Sequence, residues 1–583
     1  MSKQKYDTQF SVYKLDYERT ELYFLKEKEI EIDSIDDVEE LIFDDIKEKL
    51  IERKESLSPA IGEKHGFKGI FFKTHHRPVW KGIASQFIGS QNDTQDFISN
   101  SHISYVLTYK KDTSLYLLTG GLGSNYISDY IQRNYGLYLL PKLINDDLPA
   151  VKAVLENRII GNRLSDRRAN RNSTSINVEN ELSTIFRELS LEFGSTIISE
   201  LNIIDEGEKG PKILNVIAKD SLVVRKSLTL DKLACMIEKL VEIEKRRDKF
   251  SIGYLVSAKK YGYSSSELKD LMIEYFKSGQ YENFVLVGND IGEYYLGASK
   301  YLITDGSSNV IMEETKPISL CDIYSNFFGE SISRSKVEEF LKLEVSTYDD
   351  TVPRLPATKL KDCIQGYVED ENHDLFYLFN SEWLVFDPKY SDALNDDFKN
   401  RFSNLVEIPA SVKKILENSD KNTENDYNMM YKESSKLILA HTVSMNNVEL
   451  ADFIYFDEST ETLYLVHNKG EFDGAGARDV MNQIITSAEF INNYRADTIN
   501  GNKFFEKYFN KIKKKYPQNQ CLNNLDFDEF LSMFKKKIVY VAGFLYKLSD
   551  NSTSSYAKFL TIDVNKRLIE NNFELKLFNI NGK

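Results

Sequence analysis

The chain has 583 residues, of which 41% are hydrophobic and 12% aromatic, and its formal net charge is −15 at pH 7. At about 100–200 residues per domain, this length predicts three or four domains, and the apolar content argues against a disordered chain. The acidity of the whole chain argues against a protein that coats nucleic acid non-specifically, although it leaves room for a local basic groove.

Cysteine usage and hydropathy favour a soluble, cytoplasmic protein. The four cysteines are far apart and form no C-x-x-C pair, which argues against a cysteine zinc ribbon and gives no disulfide framework. Residues 1–16 contain no apolar core of signal-peptide length. No window approaches the roughly 20 apolar residues of a membrane span, so we expect no membrane partner.

The order of the predicted elements indicates an α+β fold in several domains, with residues 1–175 as an α+β domain and residues 176–400 as a mixed α/β domain. In the first domain we predict a helix at residues 33–55 and strands at residues 10–15, 22–32, 67–72, 103–109 and 114–118. In the second we predict an amphipathic helix at residues 228–247 and a hairpin at residues 375–387 that buries Trp383. No part of the second domain has catalytic spacing.

A basic stretch closes the first domain. Residues 157–174 contain one acid, Asp166, and five arginines: Arg158, Arg163, Arg167, Arg168 and Arg171. Arginine is well suited to phosphate contacts, which predicts that these five residues bind nucleic acid. The alternative is an exposed connector at the domain boundary.

The sequence pattern of residues 401–583 predicts a third domain, in which helices and strands follow one another in a regular order. After a polar linker we predict a helix at residues 426–440, strands at 448–456 and 462–466, a helix at 478–494, a strand at 538–546, a helix at 557–569 and a strand at 573–580. An insertion at about residues 498–537 is rich in lysine, and we take Lys511, Lys513 and Lys514 as candidate phosphate contacts. A solvated helix face is the alternative.

One acid in this domain lies where a strand should not carry one. Asp452 sits inside the apolar run V-E-L-A-D-F-I-Y-F, and strands avoid aspartate because a buried carboxylate is costly unless it is paired or metal-bound. The next apolar run ends at His467-Asn468-Lys469. Because side chains alternate along a strand, two neighbouring strands can bring Asp452, His467 and Lys469 together.

This grouping predicts a metal site for phosphate chemistry. A carboxylate holds a hard cation such as Mg2+ through oxygen, and a nearby lysine supports negative charge on a phosphate. Glu424, upstream in T-E-N-D-Y-N, adds a second carboxylate, or else caps the helix that begins there.

The segment resembles the PD-(D/E)XK nuclease superfamily, in which an Asp is followed by Glu-x-Lys at the end of the next strand and by a helix that often carries Gln. By position, Asp452 matches the Asp, Lys469 the Lys and Gln483 the helix Gln, while His467 occupies the Glu position. The resemblance implies a restriction-endonuclease-like α/β core around a central mixed sheet, of outline α-β-β-β-α-β, with one core strand still to be assigned. Arg478 assists a phosphate or simply lies on the helix surface.

The same resemblance implies Mg2+ or Mn2+ as cofactor, with Asp452, His467 and Glu424 as ligands. Histidine prefers borderline transition metals to Mg2+, so His467 implies either a shifted metal preference or a weakened site.

The whole chain resembles an uncharacterised, sporadically distributed bacterial family associated with mobile elements and phage defence. This implies a metal-dependent nuclease that cuts DNA or RNA in anti-phage defence, with nucleic acid and a phage-derived trigger as partners. It leaves a homo-oligomer open. One alternative is a catalytically degenerate nuclease fold that binds nucleic acid or senses a phage component. Another is a protein-interaction scaffold.

Overall fold

The described residues form five sheets, which are packed with helices into an α+β structure of several domains. The computed structural model describes residues 9–581 apart from residues 33, 53–58, 77–99, 144–149, 159–164, 176–183, 205–212, 227, 250–251, 288–297, 308, 330–331, 350–351, 372–373, 417–422, 446–447, 497 and 550–553. No helix within these ranges combines the length and apolar character needed to cross a bilayer.

The first sheet has ten antiparallel strands in the order β2-β3-β4-β5-β1-β10-β9-β8-β6-β7. Its strands are β1 Gln9–Lys14, β2 Ala60–Lys64, β3 Phe67–His76, β4 Asn100–Lys111, β5 Ser114–Gly120, β6 Ala150–Arg158, β7 Ser165–Ser175, β8 Thr184–Phe193, β9 Leu214–Ala218 and β10 Leu222–Arg225. The helices of this region are α1 Tyr17–Glu27, α2 Ile35–Glu52, α3 Tyr135–Leu143, α4 Ser195–Glu200 and α5 Leu230–Glu244.

Helices cover both faces of this sheet. Because side chains alternate along a strand, Val12 of β1 joins a core with Met236 of α5, and its neighbour Tyr13 joins a second core with Ile42 of α2. Helix α2 thus covers one face of the sheet, as the amphipathic pattern at residues 33–55 predicted.

The strand predicted at residues 22–32 is wrong over residues 22–27, which belong to α1. The Asp16 side chain caps α1 by accepting a hydrogen bond from the Arg19 backbone N–H.

The described residues of the basic stretch, 157–158 and 165–174, belong to two strands and not to an exposed connector. Residues 150–158 and 165–175 form β6 and β7, which pair antiparallel at one edge of the sheet. Because β8, β9 and β10 continue the same sheet, the predicted boundary after residue 175 lies between two of its strands.

The middle of the chain contains two antiparallel sheets, with orders β11-β19-β18-β17-β12 and β14-β13-β15-β16. The strands are β11 Leu255–Ser257, β12 Phe284–Leu286, β13 Lys300–Thr304, β14 Val310–Glu314, β15 Glu344–Asp349, β16 Val352–Lys359, β17 Ile364–Glu369, β18 Leu375–Phe379 and β19 Glu382–Phe386. The helices are α6 Ser265–Lys277, α7 Leu320–Phe327, α8 Arg334–Lys342, α9 Leu360–Cys363, α10 Ser391–Val406 and α11 Ala410–Ile415.

The hairpin predicted at residues 375–387 is confirmed by β18 and β19. Its two-residue turn places Asn380 and Ser381 at φ angles of 50° and 62°, the left-handed region that such turns require. Trp383 is buried, as predicted.

The fourth sheet is mixed and has the order β20-β23-β24-β25-β26. The strands of this region are β20 Ile438–Leu439, β21 Ser444–Met445, β22 Val448–Glu449, β23 Phe453–Asp457, β24 Thr462–Glu471, β25 Lys537–Tyr546 and β26 Glu574–Asn579. The helices are α12 Glu424–Met429, α13 Gly474–Ala496, α14 Thr498–Lys515, α15 Gln520–Asn523, α16 Phe527–Met533 and α17 Ser555–Glu570. Strands β20, β23 and β24 run antiparallel, whereas β25 and β26 are parallel to β24.

Two predictions for this region need correction. The helix predicted at residues 426–440 ends at Met429, and two residues near its predicted end form the short strand β20. The strand predicted at residues 448–456 is interrupted, because β22 pairs with β21 as a separate ribbon before β23 enters the sheet. Asp452 lies at this interruption.

The fourth sheet and the five-stranded middle sheet share one hydrophobic core. Phe386 of β19, for example, packs against Phe559 of α17 with ring centroids 5.2 Å apart. The predicted boundary after residue 400 lies inside helix α10, which packs in this same core.

Candidate functional site

Three side chains with metal-binding atoms converge at the interruption before β23. Glu424, His441 and Asp452 each offer one ligand atom, and these atoms all lie within 4.8 Å of one another. Glu424 comes from the first turn of α12, His441 follows β20, and Asp452 precedes β23. We refer to these three residues as the acidic cluster. It is the one group of this kind within the described part of the chain.

Asp452 is buried, and both oxygens of its carboxylate have hydrogen-bond partners. Its Oδ1 lies 2.5 Å from His441 Nδ1, and its Oδ2 accepts the Asn468 backbone N–H at 2.8 Å. The Asp452 backbone donates to Val466 O and accepts from the Ala440 N–H, both at 2.8 Å. The carboxylate is therefore fixed by the two strands that flank β23.

Lys469 reaches the acidic cluster through Glu424. Its Nζ donates to Glu424 Oε2 at 2.9 Å, and both side chains are partly buried. Burial raises the pKa of the Glu424 carboxyl, an effect that Lys469 opposes. Burial alone would lower the pKa of Lys469, but the Glu424 carboxylate, together with Asp479 and Asp452, outweighs burial, so the pKa of Lys469 is raised. The structure thus brings the predicted residues Asp452, Lys469 and Glu424 together.

His467 is not part of the acidic cluster. Its ring is fully buried, its Nε2–H donates to Leu450 O at 3.1 Å, and it stacks on Tyr540 with centroids 6.5 Å apart. Burial lowers the pKa of His467 to about 4, so the ring is neutral at physiological pH. His441 supplies the imidazole of the cluster instead.

His441 was not predicted from the sequence, although its position in the sequence carries a signal. His441 interrupts the apolar run L-I-L-A-H-T-V, just as Asp452 interrupts its own run.

A further acid, Glu449, lies beside the acidic cluster. Burial raises the pKa of Glu449 to about 7, an effect that the charge of Asp452 increases. Glu449 Oε1 lies 3.8 Å from His441 Nδ1, so a further carboxylate stands beside the cluster.

Two residues of α13 have other surroundings. The guanidinium carbon of Arg478 lies 4.2 Å from the ring centroid of Tyr367 in β17, and Nη1 lies 3.7 Å from Asp479. Arg478 is therefore a contact between α13 and the middle sheet. Gln483 is partly buried, and its Oε1 has no hydrogen-bond partner among the described residues.

The arginines of the basic stretch do not form one described surface. Arg167 is exposed, whereas Arg168 donates to the buried Glu156 at 2.8 Å. Arg158 and Arg171 lie in β6 and β7, but their side chains are outside the described residues, as is Arg163 entirely.

The lysine-rich insertion lies against the loop that carries His441. Tyr516 OH donates to His441 O at 2.7 Å, Lys515 donates to Thr442 O at 3.0 Å, and Lys511 donates to Ser444 O at 2.6 Å. Lys513 lies 4.3 Å from the Phe509 ring centroid, while Lys514 is exposed at the end of α14. The helix therefore braces one side of the acidic cluster.

Comparison with known proteins identifies the family. A family model described as a family of unknown function, DUF6119, matches residues 20–543, and the chain belongs to this family. The match confirms the expectation of an uncharacterised family and runs from α1 into β25. No curated protein and no solved structure matches the chain.

The neutral state of His467 predicts an acid-sensitive contribution to stability. Because its folded pKa of about 4 lies below its ordinary value of 6.5, this contribution is complete above pH 6.5 and is lost as the pH falls towards 4. In His467→Phe the loss of unfolding free energy between pH 7 and pH 4 should be smaller by up to about 3 kcal/mol. Denaturant unfolding at several pH values measures this, with the exposed His65→Asn as control. Equal acid sensitivity of His467→Phe and wild type would contradict it.

Because Arg478 stacks on Tyr367, we predict that substitution of Arg478 lowers the stability of the protein and does not affect nucleic-acid binding. Arg478→Met keeps an unbranched chain but removes the guanidinium, which should cost about 1–3 kcal/mol of stability. The nucleic-acid binding that the resemblance implies, followed by fluorescence anisotropy with a labelled oligonucleotide, should be the same in Arg478→Met and wild type. Arg167→Met, at an exposed position, should leave the melting temperature unaltered. If Arg478→Met lowered the affinity for the oligonucleotide and left the stability unchanged, the prediction would be wrong and Arg478 would again be a candidate nucleic-acid contact.

Proposed function

We propose that the protein is a metal-dependent nuclease that hydrolyses phosphodiester bonds of DNA or RNA. The observation that carries this proposal is the convergence of Glu424, His441 and Asp452, with Lys469 bonded to Glu424 beside them. A role in bacterial anti-phage defence is part of the proposal and rests on resemblance to a family associated with mobile elements and phage defence.

The order of elements supports a restriction-endonuclease-like core. Helix α12, the antiparallel strands β20, β23 and β24, helix α13 and strand β25 follow the α-β-β-β-α-β outline of PD-(D/E)XK nucleases. Strand β25 is parallel to β24 after the α13 crossover. In this outline Asp452 and Lys469 occupy the positions of the metal-binding Asp and the catalytic Lys.

The donor set of the acidic cluster fits a divalent ion. Glu424 and Asp452 provide carboxylate oxygens and His441 an imidazole nitrogen. Carboxylates suit Mg2+ and Mn2+, whereas imidazole suits later transition metals, so the mixed set favours Mn2+ over Mg2+. A divalent ion held by these residues would polarise a phosphoryl oxygen and lower the pKa of water.

The protein residues supply position and charge. Asp452 is fixed by the Asn468 N–H and by two neighbouring strands, so it presents its carboxylate in one orientation. Lys469 is held by Glu424 at the edge of the acidic cluster, where its ammonium group can support the negative charge of a phosphate. Lys514, exposed on the helix that braces the His441 loop, adds a cation for the nucleic-acid backbone.

A second candidate is a nuclease fold that binds nucleic acid without cutting it. Two observations favour it: His467 is buried in the position of the usual Glu, and His441 and Asp452 already satisfy each other at 2.5 Å. This candidate keeps nucleic-acid binding and lacks metal-dependent chemistry.

Cleavage assays distinguish the two candidates. Purified protein is incubated with end-labelled duplex DNA, single-stranded DNA and RNA in the presence of Mn2+ or Mg2+. Asp452→Asn and Lys469→Met should each lower the cleavage rate at least about 100-fold, because each removes a charge from the reacting centre. Glu458→Gln, an exposed position in the turn after β23, is the matched control and should cleave normally.

If wild-type protein binds these substrates but cuts none with either metal, the nuclease proposal fails and the binding candidate stands. Cleavage that survives in both Asp452→Asn and Lys469→Met would show that the chemistry lies elsewhere in the chain.

The two neighbouring lysines at the end of α14 give a test of nucleic-acid binding. Lys514 is exposed, whereas Lys513 lies over Phe509 and donates to Leu525 O at 3.3 Å. Lys514→Gln should lower the salt dependence of duplex DNA affinity by about 0.9 in the log–log slope, the value for one lost phosphate contact. Lys513→Gln should leave the slope nearly unchanged. Equal slopes for wild type and Lys514→Gln would show that Lys514 makes no phosphate contact, and α14 would then only support the loop that carries His441.

A further inference from the structure

Two buried asparagines connect the members of the acidic cluster. Asn428 of α12 is fully buried, and its Nδ2 lies 3.1 Å from both Asp452 Oδ1 and His441 Nδ1. Its Oδ1 accepts a hydrogen bond from Asn468 Nδ2 at 2.8 Å. Asn468 also donates its backbone N–H to Asp452 Oδ2. The two carboxamides and the carboxylate therefore form one closed network.

The network determines which atoms carry protons. Because Asn468 donates to Asn428 Oδ1, the Nδ2 group of Asn428 must be the end that faces Asp452. Without a bound ion, an ionised carboxylate only accepts hydrogen bonds, so His441 donates from Nδ1 to Asp452, and an ion ligated at Nδ1 would replace this proton. The Asn428 N–H then also belongs to Asp452, since a protonated Nδ1 has no lone pair to offer. Asn428 thus fixes the carboxylate, and through it the ring of His441.

The fold makes room for Asn468 at a particular place. Asn468 of β24 pairs in register with Gly543 of β25, and a Cβ at Gly543 would overlap Asn468 Oδ1. Asn428 Nδ2, Asn428 Oδ1 and Asn468 Nδ2 are all hydrogen-bonded, whereas Asn468 Oδ1 has no hydrogen-bond partner among the described residues. Burying amides is costly unless their polar atoms are paired. Partners of this kind commonly orient metal-binding side chains. A purely packing role would be met by apolar side chains of similar size.

We propose that Asn428 and Asn468 are positioning residues that act as one unit to hold Asp452 and His441 in the geometry of a divalent-metal site. This inference rests on the proposed function, because it assumes that the acidic cluster binds a divalent ion. Neither asparagine contacts the ion; Asn428 acts directly on Asp452, and the side chain of Asn468 acts through Asn428.

Mn2+ binding to the full chain tests this proposal without a nuclease assay. Isothermal titration calorimetry with Mn2+ alone is carried out on wild type, Asn428→Ala, Asn468→Ala and the double variant. Asn428→Ala should weaken the affinity by about 10- to 100-fold, the usual effect of removing a residue that orients a ligand. Asn468→Ala should weaken it less, because its backbone contact to Asp452 remains. Asn425→Ala, an exposed position in the same helix, is the matched control and should bind like wild type.

The double variant separates a unit from two independent effects. If Asn468 acts through Asn428, Asn468→Ala adds no further loss in the Asn428→Ala background, so the double variant matches Asn428→Ala within about twofold. Melting temperatures are recorded in parallel, because a merely structural role lowers them and leaves the Mn2+ affinity of the folded protein unchanged.

Each outcome is decisive. Wild-type affinity in both folded single variants, or losses that simply multiply in the double variant, would overturn the asparagine pair while leaving the metal site in place. If Asn428→Ala does not fold, Asn468→Ala decides alone, and wild-type affinity in it overturns the proposal. A wild-type chain that binds no Mn2+ removes the proposed metal site and this inference together.

Discussion

The candidate site depends on how one buried negative charge is accommodated. A carboxylate removed from water is stable only if hydrogen bonds or cations replace its hydration. Asp452 meets this requirement with His441, Asn428 and the backbone N–H of Asn468. These partners come from the loop after β20, from α12 and from β24, so satisfying the charge also fixes three elements relative to one another. Asp452 lies at the interruption between β22 and β23, where its carboxylate meets these partners.

The sequence could predict the charged part of this arrangement and not its neutral part. Asp452 and Lys469 stand out because each breaks or ends an apolar run, and Glu424 follows from its place ahead of the first helix of the domain. Asn428 looks like any helix residue, and its role depends on contacts with residues 24 and 40 positions later in the chain. His467 was placed by strand alternation and by its match to the Glu position of the motif, and neither shows what covers that face of the sheet. Here Leu450 O accepts the His467 Nε2–H and the Ser487 hydroxyl.

Errors in the fold have similar origins. Residues 22–32 were predicted as a strand because of their apolar and aromatic content, but the cap provided by Asp16 and the burial of Phe24 favour a helix up to Glu27. Strand β20 has two residues, which is too short for any periodic pattern to reveal. The domain boundaries were inferred from composition, and composition does not show which distant strand completes a sheet. By contrast, α2 and the β18–β19 hairpin were predicted because their signals are local.

The core that joins β17, β18 and β19 to α13 and α17 has a consequence for how the protein can be divided. Tyr367, Tyr377 and Phe386 belong to the same cluster of buried residues as Phe559 and the apolar side of the fourth sheet. A fragment that starts at residue 401 would lose these aromatic side chains and the first part of α10. It would also leave the Arg478 guanidinium without its tyrosine. The smallest C-terminal fragment that folds by itself must therefore include the five-stranded middle sheet. That sheet and the fourth sheet, which carries the acidic cluster, belong to one domain.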